Sequence, residues 1–443
     1  MVMRAGVTRT GVTPTLLDRA AGDARVVVGM GPLTLPSRDE IADEFVRLAT
    51  VSAGNRLGLH RDRRTGGRRW HHDPRMLGES VRSWSDDFPG TDHLDLADKL
   101  TLLRRTRPTP DGLRVYVAGD HLITDLPHAV FGGGMVVRLW VYLSQCASRP
   151  TPDWAVTPAQ RPHVLRAMAR HVAGRPRSVA ELFAEGRHKV PEVTGGDDAP
   201  SGSTSDMQST ALPSTVTGYL DVARRAELQK WRDANTPGCS MAVLLMCVLT
   251  RGFAAAGVDL APTAHVVVDA GRYDRSLAHY LGNAAVGLNL PFPRPNDPTV
   301  LQRELSAAMA SGRPLAAMLA ISAGELAAST RHRLGRPDEQ HVEPVAESSA
   351  TLSFSHLLGL DAMPDGHWVG GFDAHRFAAV SDPVGARGIA LLTPKMRDRY
   401  DISASFDARY HEPETIRRAL HLATADPVAI LDAPAALDLG EVP

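Results

Sequence analysis

The sequence predicts an α/β fold. Helical apolar periodicity alternates with short β-rich runs along most of the 443 residues, and that alternation marks a mixed αβ class. Apolar residues make up 43% of the chain and charged residues 22%, which is core material for two or three average soluble domains. The polar, low-complexity stretch Gly195 to Ser214 has too little apolar surface to offset the entropy of ordering. It predicts an N-terminal lobe at 1–194, a flexible linker at 195–214 and a C-terminal lobe at 215–443. No internal sequence repeat relates the two lobes.

Residues 1–23 read as a loosely held arm. Arg25 to Gly31 reads as a buried strand, and Pro36-Ser37 starts a helix from Arg38 to Val51 with Ile41, Phe45, Leu48 and Ala49 on one face. Leu57 to Asp73 is hairpin-rich. The pair His71-His72 within it lacks an aspartate at a useful offset and reads as surface. Leu94 to Arg105 is a helix or an extended connection. Val115 and Val117 then alternate with Tyr116 and Ala118, as in a buried strand. Asp120-His121-x-x-x-Asp125 follows at that strand's end. Pro127 suits a first helical position, because its ring fixes φ and it lacks only a donor that would be unpaired there. This puts His121 on a short segment between strand and helix, where a general base can be held rigidly. A turn histidine with a capping aspartate is the alternative.

Met135 to Cys146 is helical, Ser148 to Pro162 is a proline-rich loop, and Val164 to Ala173 and Ser178 to Arg187 are helical. In the second lobe, helices are expected at Val216 to Asn235, Met241 to Gly257, Pro298 to Ala310 and Arg313 to His332. Strands are expected at Ala264 to Asp269, Thr351 to Leu357, Gly388 to Leu392 and Tyr400 to Phe406. Glu412 to Thr424 is the last helix, and Gly335 to Ser348 is a charged loop.

Composition excludes several functions. A formal net charge of −1 leaves no overall electrostatic footprint for nucleic acid. Met1 to Ala24 contains no continuous apolar h-region, and no apolar run approaches the roughly 20 residues that span a bilayer. A soluble, cytoplasmic protein is the expectation. The three cysteines (Cys146, Cys239, Cys247) show no metal spacing and, being odd in number, no disulfide framework. Cys239 and Cys247 lie in or beside an apolar helix and read as small core residues. The eighteen histidines lack the i, i+4 pairing and glutamate of a zinc helix, so no metal site is expected. Gly132-Gly133-Gly134 lacks the lysine of a phosphate loop and reads as a bend. Arg61-Asp62-Arg63-Arg64, with Arg68 and Arg69, is a solvated basic loop or a docking patch for an acidic carrier protein.

Asp120-His121-Leu122-Ile123-Thr124-Asp125-Leu126 resembles the His-His-x-x-x-Asp-Gly motif of the condensation-domain and chloramphenicol-acetyltransferase-like acyltransferase superfamily. Free-standing condensation enzymes, wax-ester synthases and polyketide-associated acyltransferases are among its relatives. His121 and Asp125 match the second histidine and the aspartate. Asp120 replaces the first histidine, and Leu126 replaces the glycine. The resemblance extends over roughly residues 20–425. Thr236 to Ser240 precedes an apolar helix, and Val266 to Arg272 resembles a strand ending in an arginine. Leu281-Gly282-Asn283 with Leu288 to Pro291 resembles a Gly-Asn element. Ser353 to Gly359 resembles a Ser-Asn-x-x-Gly strand with His356 at the asparagine, and Tyr400 to Asp407 resembles the closing strand.

The resemblance implies an α+β sandwich built as a pseudo-dimer of two chloramphenicol-acetyltransferase-like lobes, forming a V with an inter-lobe tunnel. It implies transfer of an acyl or aminoacyl thioester to an alcohol or amine in natural-product metabolism. The donor would ride on the phosphopantetheine of a carrier protein or on coenzyme A, with no tightly bound cofactor. His121 would be the general base, since imidazole titrates near working pH. Asp125 would pair with Arg272 and hold the loop. An ionised Asp120 would favour the imidazolium or attract a cationic amine. Leu126, His128, Ser355 and His356 would line the tunnel, and His128 reads equally as an ordinary helix residue. Trp368 is packing or substrate-loop surface. Two other readings stay open: the same fold with altered chemistry (cyclisation, dehydration or hydrolysis), and a non-catalytic carrier-protein docking module.

Overall fold

The computed structural model describes residues 10–52, 55–143, 150–156, 162–176, 211–295, 297–333, 349–358, 360, 368–371 and 373–433. In chain order its strands are β1 (Thr10–Val12), β2 (Arg25–Gly31), β3 (Leu59–Arg61), β4 (Trp70–His72), β5 (Val81–Ser83), β6 (Arg114–Ala118) and β7 (His121–Pro127). Then come β8 (Pro213–Leu220), β9 (Leu260–Asp269), β10 (Ala285–Pro291), β11 (Ala350–Leu357), β12 (Arg376–Ser381), β13 (Ile389–Met396) and β14 (Arg399–Asp407). With the helices between them they make the mixed α/β class that the alternating pattern predicts.

Two compact units are present. The first comprises residues 1–162, 278–284 and 362–379. Its main sheet runs β12-β2-β7-β6-β5, beside a small sheet β1-β4-β3. The helix Arg38–Thr50 begins at Ser37, whose hydroxyl accepts the Glu40 N–H while the Glu40 carboxylate accepts the Ser37 N–H, a capping box. Its buried face is Ile41, Phe45, Leu48 and Ala49, with Ala42. The second unit comprises 163–277, 285–361 and 380–443, with one six-stranded sheet in the order β10-β9-β11-β13-β14-β8. The helices Met241–Ala255 and Pro413–Ala425 pack on each other in this unit. The helix Val164–Gly174 belongs to it as well, held by Arg170 and Arg166, which donate to the buried Asp274 carboxylate at 2.6 and 3.2 Å. No single described helix is long and apolar enough to cross a membrane.

Several elements differ from expectation. Val216–Leu220 is strand, not helix: its Ser-Thr-Val-Thr run pairs antiparallel with β14, and the helix starts only after Asp221 accepts the Arg224 N–H. β10, which was not expected, alternates buried and half-buried residues, a period-two signal visible in Val286, Leu288 and Leu290. His72 is buried rather than at the surface. The predicted helix at 178–187, most of the linker at 195–214, the whole loop at 335–348 and Cys146 lie outside the described residues.

The largest correction concerns the central stretch. Gly119 and Asp120 form a two-residue turn between β6 and β7, with Ala118 opposite His121. Gly119 adopts φ +65°, the backbone that a Gly-x hairpin turn demands at its first position. Residues 121–127 are therefore a strand, and Pro127 ends it instead of opening a helix.

That register puts Asp125 in mid-sheet with no exposed surface. Arg114 stands directly opposite on β6, and Arg25 lies diagonally across on β2. Arg25 Nε and Nη2 donate to the two carboxylate oxygens at 2.7 and 2.8 Å, and Arg114 Nη1 is 3.5 Å away. Arg25 also donates to the Arg107 carbonyl at 2.6 Å, closing the C-terminal end of the helix Leu96–Thr106. The partner of Asp125 is thus Arg25 where the motif pointed to Arg272. The hairpin sets the carboxylate between two arginine-bearing strands. Burial acts to raise the Asp125 carboxyl, and the Arg25 charge opposes it. Asp125→Ala leaves Arg25 buried without its anion, so urea unfolding should show a loss of about 3–5 kcal/mol.

Candidate active site

A histidine opens β7 and another follows its last residue. His121 opens the strand, and its Nδ1–H donates to the Asp120 carboxylate at 2.6 Å. The ring packs over Gly31, where a Cβ would come within 2.5 Å of it. Asp120 is exposed, and its carbonyl accepts the Leu33 N–H at 2.7 Å. At a rise of about 3.3 Å per residue, His121 and His128 are roughly 20 Å apart. They cannot serve one reacting atom.

The constrained segment between strand and helix is 128–132, because the next helix is Gly133–Leu143. His128 is half-buried, and its N–H donates to the Ala24 carbonyl at 2.8 Å. Val130 and Phe131 N–H groups turn back to the Pro127 carbonyl at 3.0 and 3.2 Å. The His128 Nδ1 lies 3.0 Å from the Phe131 carbonyl oxygen. A carbonyl can only accept, so Nδ1 holds the proton and Nε2 is left as the basic nitrogen. Gly132 N–H donates to the Leu281 carbonyl at 3.2 Å. A Cβ on Gly132 would overlap the Gly282 carbonyl, so no side chain fits there.

The remaining predicted positions fall as follows. Leu126 is fully buried in the first unit's core and offers no accessible wall, which corrects its expected place in a channel. In the second unit, Ser355 and His356 are half-buried on β11. His356 Nδ1 is 3.0 Å from the Thr393 hydroxyl, and its ring lies 5.4 Å from that of Tyr400. Burial, with Lys395 adding to it, pushes the His356 imidazole down to about 4. It is neutral at neutral pH. Arg272 ends a 3-10 turn that follows β9 and is exposed. Trp368 bridges to Leu33 and lies 4.7 Å from His375, which is packing. In the basic loop, Arg63 is paired with Asp111 at 2.5 Å, while Arg64 and Arg69 are exposed. Among the described residues, no group of three or more His, Cys, Asp or Glu side chains is placed to hold a metal ion.

Comparison with solved structures fits this geometry. The trichothecene 15-O-acetyltransferase TRI3 from Fusarium sporotrichioides superposes with a TM-score of 0.55 at 12% identity, covering 96% of this chain and 97% of that one. The first condensation domain of the calcium-dependent antibiotic synthetase, in complex with a substrate analogue, gives 0.54 at 15% identity over 97% and 99%. The condensation domain of the monacolin K polyketide synthase MokA gives 0.53 at 12% over 97% and 99%. The fold is that of condensation domains and their acyltransferase relatives. No protein-family model matches the sequence, and no curated protein matches it either.

The buried histidines give this fold a defined acid limit. Burial lowers His60, His72, His265 and His356 below the ordinary imidazole value. The unfolded chain therefore binds protons that the folded chain refuses. Stability is complete above pH of about 6.5 and falls as the pH drops toward the folded values. Denaturant unfolding at pH 7.5 and pH 5 should show that loss, and His356→Asn should recover about 1–2 kcal/mol of it.

Proposed function

We propose that this chain transfers an acyl or aminoacyl group from a thioester, on coenzyme A or a carrier protein, to an alcohol or amine, with His128 as general base. The observation that carries this reading is the His128 ring itself. It sits at the strand-to-helix junction, with Nδ1 committed to the Phe131 carbonyl and Nε2 free to take a proton. Pro127-His128-Ala129-Val130-Phe131-Gly132-Gly133 follows the superfamily motif in register at that junction, with His128 at its second histidine and Gly133 at its glycine. Gly132 then stands at the aspartate.

In the reaction, Nε2 takes the proton of the hydroxyl or amine while that oxygen or nitrogen attacks the thioester carbonyl carbon. The tetrahedral intermediate collapses with cleavage of the C–S bond, and the imidazolium returns the proton to the departing sulfur. At the start of the helix Gly133–Leu143 the Met135 and Val136 amides already donate to the Gly132 carbonyl, which leaves the Gly133 and Gly134 amides as the candidate donors to a developing oxyanion. The exposed Arg64 and Arg69 suit an acidic carrier protein. A cytoplasmic setting, where loaded carriers and coenzyme A thioesters are found, goes with this reading.

A second placement of the base has its own support. Asp120 holds the His121 Nδ1 proton at 2.6 Å, which likewise leaves Nε2 free. Intact-mass detection of transfer from a panel of acyl-coenzyme A thioesters and loaded carrier proteins separates the two. His128→Ala should lower transfer by about 100-fold or more, the usual worth of a general base, and His121→Ala should leave it within a few-fold. The reverse pattern assigns the base to His121. Carrier binding with no donor consumed by the wild type points to a docking module.

A further inference from the structure

A buried polar cluster behind the His128 loop touches that loop twice. Asp18, Arg56 and Tyr280 are 1%, 5% and 4% exposed. Arg56 Nη1 donates to the Val130 carbonyl at 2.7 Å, and Nη2 reaches both Asp18 oxygens at 3.1 and 3.2 Å. The Tyr280 hydroxyl donates to Asp18 Oδ1 at 2.5 Å. That uses its single proton, so the Thr15 hydroxyl, 2.7 Å away, donates to the Tyr280 oxygen. Thr15 N–H completes the Asp18 carboxylate at 3.1 Å. The Arg56 guanidinium lies 4.9 Å from the Tyr280 ring centre and 5.9 Å from that of Trp70, within cation–π range. Burial, then the Asp18 charge, hold the Tyr280 phenol above its ordinary value, so it stays a donor.

The second touch runs through backbone. A Cβ on Gly282 would overlap Asp18 Oδ1, so this glycine rests directly on the cluster. Its carbonyl is the group that Gly132 abuts. Thr15–Asp18, Arg56, residues 280–282 and residues 130–132 are thus locked together, all within the first unit.

We infer that Arg56, fixed by Asp18 and Tyr280, is the positioning residue for His128. The cluster fixes the 130–132 backbone, and so the Phe131 carbonyl that selects the His128 tautomer. It takes the place of an aspartate–arginine pair that Gly132 has no side chain to form. The inference rests on the His128 reading for its catalytic consequence, but the tautomer can be read without any substrate.

The test uses the full chain with 15N-labelled histidine, with the His128 signal assigned by comparison with His128→Gln. Wild type should show the Nδ1–H form. Arg56→Lys keeps the charge but cannot reach Val130 and Asp18 with one planar fork. Once its fold is checked by circular dichroism, it should shift the signal toward the Nε2–H form. Transfer from the best donor of the panel should fall about 10- to 100-fold in kcat, with KM little changed. Tyr280→Phe keeps the ring, should act in the same direction more weakly, and decides the matter if Arg56→Lys does not fold. An unchanged His128 tautomer in a folded variant overturns the inference. A shifted tautomer with transfer indifferent to His128→Ala leaves the positioning role standing and removes the base assignment instead.

Discussion

One backbone contact governs the site: Gly132 lies against the Gly282 carbonyl with no room for a Cβ. A side chain at 132 would push the strand-to-helix loop off the 280–282 segment, and one at 282 would drive into Asp18, Arg56 and Tyr280. With both absent, the loop closes on backbone groups, Gly132 N–H to Leu281 and Val130 carbonyl to Arg56. Buried backbone groups must be paired, so the cost of bringing the chains this close is met by the same bonds that fix the loop. On the proposed reading the loop has no side-chain carboxylate of its own and is held through Arg56.

β7 keeps structural and chemical charge apart. Asp125, in mid-strand, is enclosed by Arg25 and Arg114 and has no surface to offer a substrate. The flanks of the strand are different: His121 opens it and His128 follows it, each half-buried with its Nδ1 taken and its Nε2 not. A carboxylate orients one and a carbonyl the other.

Structures at 12–15% identity share this architecture over nearly the whole chain. Such a likeness fixes fold and leaves chemistry to the residues of the site. The sheet needs only alternating apolar residues and caps, which many sequences supply. A base at a junction needs one ring, one carbonyl and a loop that does not move.

The sequence alone determined the α/β class and most elements. Arg25–Gly31, the Ser37-capped helix, the apolar helix from Met241 and the final helix depend on local periodicity and caps, which are written in consecutive residues. The Gly119-Asp120 turn was also written there, between two apolar runs, and it is what separates the strand His121–Pro127 from a loop. What only the tertiary structure decided is who meets whom. Asp125 is bound to Arg25 across 100 positions, and Asp18 to Tyr280 across 262. Those partnerships follow from strand register and chain return, which no local pattern encodes. They are what motivates His128, beside His121, as a proposed base, because a base is defined by the groups that hold it.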